Sequence, residues 1–382
     1  MKGSYSDRDR FYEQVKKECR LPSALVQCCF DTASWMWQSY RELYKDWRWE
    51  LKRAKGEWRK KLLKREPQKP FSKGMNGKVP VWFDYRIGSI ERSKIKLCQY
   101  GARASTLRKG VKITIPLNPA KYHLKLLQKG EIKSFQIVKK DGKFFVHVKI
   151  EYEIPDQPVN TVRGVDLGVK RSVASVMLRP NQPLRSTDFT IIHDGLKRDR
   201  LNCLSQRAAA LQQTKKWELL KRIRHKRKHV AEYFDRLSAK NIADTSSECL
   251  VAIGYPKGIK HNNHKGNGKP SLRKKLARWS YGRIIRYTKE ECAEKGIPVE
   301  APEEYWSSMT CHKCGARNTK TNPKTVERIG QSLFHCWNCE LWFNADFNAA
   351  INIGSRFLAA PLTRRGAVDS PYAGDEQARE IV

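Results

Sequence analysis

Asp166 stands in Gly164-Val165-Asp166-Leu167-Gly168, and Asp346 in Asn344-Ala345-Asp346-Phe347-Asn348-Ala349-Ala350. Between them lie two cysteine pairs, Cys311-x-x-Cys314 and Cys336-x-x-Cys339. The first aspartate closes an apolar run that reads as a strand, and the second opens a helical run. Carboxylates brought together from separate elements can hold two divalent cations about 3.5–4 Å apart, which activate a water and stabilise a leaving oxygen at a phosphodiester. The arrangement suggests a metal-dependent nuclease with a zinc ribbon inserted before its last helix. A lone strand aspartate is weak evidence. The pair is stronger, because the expected sheet order brings the first strand and the last helix together. Gly164 and Gly168 are expected to leave the backbone beside Asp166 open to a phosphate.

The cysteines read as a four-thiolate zinc site of Cys311, Cys314, Cys336 and Cys339. Each CxxC closes a tight turn, and 21 residues separate the pairs, one beyond the usual ~15–20. With all four positions filled by protein, the zinc is structural rather than catalytic. His312 and His335 flank the ligands and read as surface histidines. Lys313, Arg317, Lys320, Lys324 and Arg328 give the ribbon a basic surface for nucleic acid.

The chain that must position these groups has 382 residues and a formal net charge of +37. Two or three domains are expected at that length. Charge of that size predicts polyanion partners, with affinity falling steeply as salt rises. No window approaches the ~20 apolar residues of a membrane span, so no membrane partner is expected. The first residues lack the apolar core of a signal peptide, so cytoplasmic residence is expected. Of eleven cysteines, the seven outside the CxxC pairs then read as reduced thiols.

Residues 21–65 read as helical, opened by Pro22-Ser23 and closed by Pro67. Trp37, Tyr40, Tyr44 and Trp47 keep helical spacing and read as core. Trp49 and Trp58, off that stripe among Lys and Arg, read as contacts for nucleic acid. Residues 68–78 read as a linker. Strands are expected at 79–83, 111–115 and 135–138. Asp141-Gly142 marks a hairpin into a strand over 143–150, and 121–128 reads as a short helix. Together they predict a small antiparallel β domain, a barrel or half-barrel. From 161 the pattern turns α/β. Strands are expected at 162–167, 172–178, 189–193, 249–254 and 297–301, with helices over 196–245 and 272–295. This order suits a mixed sheet of the ribonuclease H type. Lys221, Arg222, Arg224, Lys226, Arg227 and Lys228 crowd positive charge onto the 196–245 region and predict a nucleic-acid-facing helix. The loop 261–269 reads as a basic lid, and 359–382 as a loose tail.

Four runs then match a known family: Gly164 to Gly168, Trp306-Ser307-Ser308-Met309-Thr310-Cys311-His312-Lys313-Cys314-Gly315, Cys336-Trp337-Asn338-Cys339, and Asp346-Phe347-Asn348-Ala349-Ala350-Ile351-Asn352-Ile353. Together they resemble the transposon-encoded TnpB (OrfB) nucleases, relatives of the type V CRISPR effectors and the Fanzor proteins. The motifs cover roughly 160–355; the N-terminal half matches in layout only. The resemblance implies a multidomain α+β chain. Residues 1–20 and 75–160 would form a wedge-like β barrel, and 21–74 a helical recognition segment. Residues 161–308 and 341–358 would form a ribonuclease H-like RuvC domain, and 309–340 the zinc ribbon. It implies an RNA-guided DNA endonuclease with a guide RNA, a double-stranded DNA target, catalytic Mg²⁺ and structural Zn²⁺, acting as monomer or dimer. Base pairing would read most of the target, and protein a short flanking motif.

One position departs from the family. Most members end the fourth strand of this domain in a glutamate, and here Gly254 stands there, in Val251-Ala252-Ile253-Gly254-Tyr255-Pro256. Glycine cannot hold a metal. Either the chain is an inactive RNA-guided DNA-binding repressor, or another carboxylate substitutes. A subset of the family resembles the second case, with a glutamate just before the zinc ribbon, in a run like Glu-Tyr-x-Thr-Ser-x-x-Cys. Here that run is Glu304-Tyr305-Trp306-Ser307-Ser308-Met309-Thr310-Cys311. Strand five is expected beside strand four, so a side chain just past its end can approach the space at Gly254. The expected metal-binding catalytic set is Asp166, Glu304 and Asp346.

Overall fold

A computed structural model describes residues 12–18, 21–70, 79–94, 96–140, 142–169, 171–256, 276, 279–319, 322–329 and 332–358. The 261–269 loop, most of the 272–280 stretch and the 359–382 tail lie outside the described residues. The chain divides into two compact units, one ending at Glu153 and the other beginning at Ile154. The fold is mixed α+β and multidomain.

In the N-terminal unit a helix over residues 12–18 (α1) precedes α2 (Ser23–Arg53) and α3 (Gly56–Leu63). The single expected helix is broken at Ala54, whose extended ψ of 138° ends α2. Gly56, at φ +56°, starts α3 in a conformation that favours glycine. The expected core stripe is corrected too. Trp37, Tyr40, Tyr44 and Trp47 touch in sequence, edge-on and then tilted, at 5.3–5.6 Å between ring centroids, but they are half-buried or exposed. The helix buries its N-terminal end instead, through Leu25 and Cys28 packed with Val81, Phe83 and Ile87.

Six strands follow: β1 (Trp82–Asp84), β2 (Gly88–Arg92), β3 (Tyr100–Ser105), β4 (Lys112–Leu117), β5 (Glu131–Lys140) and β6 (Lys143–Glu151), with α4 (Lys121–Lys129) before β5. They form two three-stranded antiparallel sheets, β1-β5-β6 and β2-β3-β4, in place of one continuous barrel. Phe135, Ala102 and Ala104 form the core between them. β2 and β3 were not expected from sequence. Tyr-Gly-Ala-Arg-Ala-Ser has weak strand propensity, yet its alanines are the inward positions and fit because Phe135 fills the space.

The C-terminal unit is built on a five-stranded sheet of β7 (Thr161–Asp166), β8 (Arg171–Leu178), β9 (Phe189–His193), β10 (Cys249–Ile253) and β11 (Val299–Glu300). Its order is β11-β10-β7-β8-β9. β7 pairs parallel with β10, and β10 with β11, while β7–β8 and β8–β9 are antiparallel. Residues 154–160, expected with the β domain, belong here: Gln157 donates to the Lys295 carbonyl at 2.8 Å, and the Asn160 amide to Glu248 at 2.9 Å. Helices α5 (Gly195–Gln213), α6 (Trp217–Asp244) and α7 (Tyr281–Ala293) follow β9 and β10. One sheet face is covered through Ile242, Ala243, Ile284, Ile285 and Cys292 of α6 and α7. The other is covered by the last helix, α8 (Ala345–Leu358), through Ala350, Ile351 and Ile353. The apolar strands follow from this burial on both faces. The ribbon strands β12 (Val326–Ile329), β13 (Leu333–Cys336) and β14 (Leu341–Asn344) run directly into α8.

Gly164 has a different use from the one its motif suggested. A β-carbon there would sit 2.0 Å from the Ala350 carbonyl oxygen, and Gly354 on α8 lies against the Gly164 backbone in return. The bare positions let α8 cross β7 at backbone contact, which carries Asp346 towards the end of β7. At Gly168 the space is taken by the Arg171 carbonyl, 2.5 Å from a built β-carbon. Neither glycine leaves an open face for phosphate.

Candidate active site

Asp166 is the last residue of β7, opposite Ala174 of β8. Asp346 lies in the first turn of α8, where the Asn344 side-chain oxygen accepts from the amides of Asp346 and Phe347 at 3.0 and 3.2 Å. An anion at that end is favoured by the helix dipole. Asp346 is held by two arginines: Arg171 of β8 at 2.8 Å on one oxygen, and Arg328 of β12 at 2.7 Å on the other. Arg171 also donates to the Ser332 hydroxyl at 3.1 Å. Arg328 was read as a nucleic-acid contact of the ribbon; in this structure it faces the carboxylates.

Glu304 reaches the same region from the chain beyond β11. Pairing with β10 resumes after that strand as a single bridge between Tyr255 and Glu303. The Tyr255 amide donates to the Pro302 carbonyl at 2.8 Å, and the Glu304 amide to the Tyr255 carbonyl at 3.3 Å. The side chain then turns over Gly254: a β-carbon built there would meet Glu304 Oε1 at 2.4 Å and Cγ at 2.7 Å. Glu304 Oε1 is buried without a hydrogen-bond partner. Burial pushes the Glu304 carboxyl up to about 7, opposed by the charge of Arg356. Burial, then the Glu304 and Asp346 carboxylates, hold Asp166 well above the usual carboxylate range, opposed by Arg328. Carboxyls perturbed by burial and by one another are a mark of functional sites.

An orphaned buried carboxylate oxygen beside two further acids is the donor set that hard divalent cations take. Among the described residues, only the four cysteines bring three or more ligand atoms within 4.8 Å of one another. The acids are spread more widely than that.

Sulfur–sulfur distances of 3.7 Å (Cys311–Cys339) and 3.6 Å (Cys314–Cys336) match the ~3.8 Å edge of a tetrahedron with Zn–S bonds of ~2.3 Å. The cluster fits a zinc ribbon. His312 Nδ1 donates to Asn348 Oδ1 (2.9 Å), and the residue is no ligand. His335 is corrected from a surface residue to a buried one. It is 1% exposed, stacked on Trp342 at 4.0 Å and edge-on to Trp337 at 4.2 Å.

Lys221, Arg222, Arg224, Lys226 and Lys228 are exposed on α6, and Arg227 is half-buried. Ile223 and Leu220 turn the opposite face onto Ala208 of α5. Sequence reasoning missed the aromatic end of this stripe, where Arg200, Lys226, His229, Val230, Tyr233 and Phe234 line a shallow cavity of about 520 Å³. It also missed Arg171, whose approach to Asp346 spans 175 residues.

The sequence model of the family "Cas12f1-like, TNB domain" matches residues 281–353, from α7 through α8. The chain is 25% identical over 236 residues to the CRISPR-associated endodeoxyribonuclease Cas12f2 of a Micrarchaeota archaeon (57% of this chain, 41% of that one). It is 26% identical over 240 residues to Cas12f1 of Sulfoacidibacillus thermotolerans (58% and 53%). The alignments thus span about half the length of these relatives. A solved Cas12f1–sgRNA–target DNA complex is similar at TM-score 0.40 and 16% identity, over 86% of this chain and 93% of that one. The chain is thus similar to the Cas12f endodeoxyribonucleases, and the match to the family model covers α7 through α8.

Proposed function

We propose that this chain is an RNA-guided DNA endonuclease whose RuvC site is Asp166, Glu304 and Asp346. The observation that carries the proposal is the Glu304 carboxylate lying in the space left by Gly254. A carboxylate from outside the strand thereby stands where the family's strand-four glutamate would project. The sheet order, with the fourth and fifth strands parallel to the first on one side and, on the other, the second strand antiparallel to both the first and the third, supports the ribonuclease H-like assignment. The two sheets of the N-terminal unit would be the wedge, α2 and α3 the recognition segment, and exposed α6 the surface for guide RNA or heteroduplex. Guide RNA and double-stranded target DNA are the proposed partners.

Mg²⁺ held by the three carboxylates would supply an activated water and charge at the leaving oxygen. The chain's own part is to hold these acids in place before any cation arrives. Asp346 is oriented by Arg171 and Arg328 and by the start of α8. Glu304 and Asp166 rest in surroundings that favour their neutral forms, so each gives up a proton as it becomes a ligand. The arginines also bring positive charge to where a phosphate would lie.

The test is cleavage of a matched plasmid by the purified protein–guide RNA complex in Mg²⁺, beside Glu304→Ala, Asp166→Ala and Asp346→Ala. Cutting by the wild type that is lost in all three supports the proposal. Cutting that survives Glu304→Ala assigns the metal to another group. Guided binding of a target with the right flanking motif, without cutting, makes the chain an RNA-guided repressor.

A further inference from the structure

Helix α8 presents Asn348, Asn352 and Arg356 four residues apart, so they share one face. All three bond to the backbone of the segment joining β11 to the first cysteine pair. Asn348 Nδ2 donates to the Thr310 carbonyl at 2.8 Å, and its Oδ1 accepts from the His312 amide at 3.0 Å. Asn352 donates to the Ser307 and Thr310 carbonyls, both at 2.7 Å. Arg356 donates from one guanidinium nitrogen to the Glu303 carbonyl at 2.6 Å, and from the other to the Tyr305 carbonyl.

The two carbonyls taken by Arg356 flank Glu304. That residue lacks the support that fixes Asp166. β11 ends at Glu300, and among the described residues only the Tyr255–Glu303 bridge continues the ladder. Two residues on, Trp306 has φ +58°, a left-handed conformation that residues with a β-carbon avoid. Such a segment keeps its shape only where its surroundings over-determine it. A planar guanidinium spanning both neighbours of Glu304 fixes where its α-carbon sits, and hence where its carboxylate falls over Gly254.

We infer that Arg356 is the positioning residue for Glu304, a fork-shaped clamp that substitutes for the strand from which a glutamate at position 254 would have projected. The inference rests on the reading of Glu304 as a metal ligand. Asn348 and Asn352 hold the distal part of the segment near the zinc site, whereas Arg356 alone of the three holds the part carrying the carboxylate. Lysine would keep the charge but not the two-pronged geometry.

The test uses the full-length, zinc-loaded chain and Mn²⁺ alone as probe, with free Mn²⁺ measured by electron paramagnetic resonance. Glu304→Ala, Arg356→Ala, Arg356→Lys and the double Glu304→Ala/Arg356→Ala are compared with wild type. Residues that orient metal ligands change affinity by roughly 10–100-fold. Arg356→Ala is expected to weaken Mn²⁺ about tenfold, Arg356→Lys nearly as much, and neither to add to the loss in the Glu304→Ala background. Amide exchange over 303–306 is expected to rise in both arginine variants, with the zinc content unchanged. If Arg356→Ala does not fold, Arg356→Lys with the exchange measurement carries the comparison. Wild-type affinity in the arginine variants overturns the inference, and so does an equal loss in the Glu304→Ala background. If Glu304→Ala itself leaves Mn²⁺ binding unchanged, the reading of Glu304 as a ligand fails first, and the clamp falls with it.

Discussion

Glu304 occupies the space a side chain at residue 254 would fill, with its Oε1 2.4 Å and its Cγ 2.7 Å from the β-carbon position of Gly254. The two positions are therefore exclusive: a carboxylate can come from one or the other. Gly254→Ala should push Glu304 aside while leaving the fold intact, because the atoms in conflict belong to the flexible Glu304 side chain and the Ile353 methyl, with no backbone atom among them. A displacement of about 1 Å is enough to cost up to ~100-fold in rate. Plasmid cleavage should fall by at least ~10-fold in Gly254→Ala with little change in melting temperature. Gly254→Glu combined with Glu304→Ala should recover part of the activity that Glu304→Ala loses. A Gly254→Ala enzyme cutting at the wild-type rate would mean that Glu304 is not the ligand.

The raised carboxyl of Glu304 has a consequence in pH. The ordinary value is 4.5 and burial raises it to about 7. Between these values the metal-free folded state holds a proton that the unfolded state has released. Stability from this group is complete below pH 4.5 and is lost as pH rises through about 7. Glu304→Gln should flatten that slope. A divalent cation acts in the opposite sense, because it needs the anion. The rise in melting temperature produced by Mg²⁺ should be small near the low end of the interval, grow towards pH 7 and level off above it. Thermal melts with and without Mg²⁺ across the interval check both signs.

The elements around the site follow visible sequence patterns, and its electrostatics do not. The C-terminal strands are apolar runs between turn residues, so β7, β8, β9 and β10 are found within a residue or two of expectation. The zinc pairs are local in sequence, so spacing alone places them. Glu304 is singled out only through the resemblance of the 304–311 run to a subset of the family, because a glutamate seven residues before a cysteine carries no chemical signal of its own. The glycine beside Asp166 was misread because its motif says that a side chain is forbidden, without saying what forbids it. Here it is the Ala350 backbone, 186 residues away. Arg171 and Arg328 look like any other arginines in a chain of net charge +37. Only the fold shows that both meet Asp346. β2 and β3 were missed because small residues hide an inward face, and the aromatic stripe of α2 was misread because helical spacing also arises when side chains stack along an exposed helix.

The two arginines on Asp346 compete with any cation for that carboxylate. Each pair is partly exposed, with side-chain exposures of 26% and 35% for the arginines, so each contributes only about 1 kcal/mol or less. Removing one should ease metal entry while weakening the charge offered to phosphate. Arg328→Ala is expected to bind Mn²⁺ up to ~5-fold more tightly and yet to cleave more slowly. Calorimetric titration beside a cleavage time course separates the two effects. Weaker Mn²⁺ binding in Arg328→Ala would mean that the arginine supports the metal site instead of competing with it.

Zinc should matter to the nuclease site through connectivity. β14 of the ribbon runs straight into α8, and Arg328 of β12 holds Asp346. One zinc per chain is expected by elemental analysis. Cys336→Ser should lose that zinc and, with it, the order of the ribbon. Because Asp346 then loses the anchored start of its helix together with Arg328, and keeps only Arg171, cleavage should fall by at least ~100-fold even in excess Mg²⁺. Full activity in a zinc-free Cys336→Ser protein would show that α8 and Asp346 are held without the ribbon.

The exposed stripe of α6 makes a prediction in salt. Lys221, Arg222, Arg224, Lys226 and Lys228 are exposed around the Ile223–Leu220 contact with α5, and Tyr233, two turns beyond Lys226, shares the side of Arg222 and Lys226 at 62% exposure. If these cations meet phosphates, each contact releases counterions and steepens the dependence of affinity on salt by ~0.7 per contact for single strands and ~0.9 for duplex. Arg222→Ala/Lys226→Ala should therefore weaken RNA binding at low salt and reduce the slope of log K against log salt by about 1.4–1.8. The loss should be similar for unrelated RNA sequences, since phosphate contacts carry no base information. Tyr233→Ala should weaken binding without altering the slope, because stacking on a base releases no counterions. Filter binding across a salt series distinguishes them. An unchanged slope in the double variant would place the guide RNA on another face of the protein.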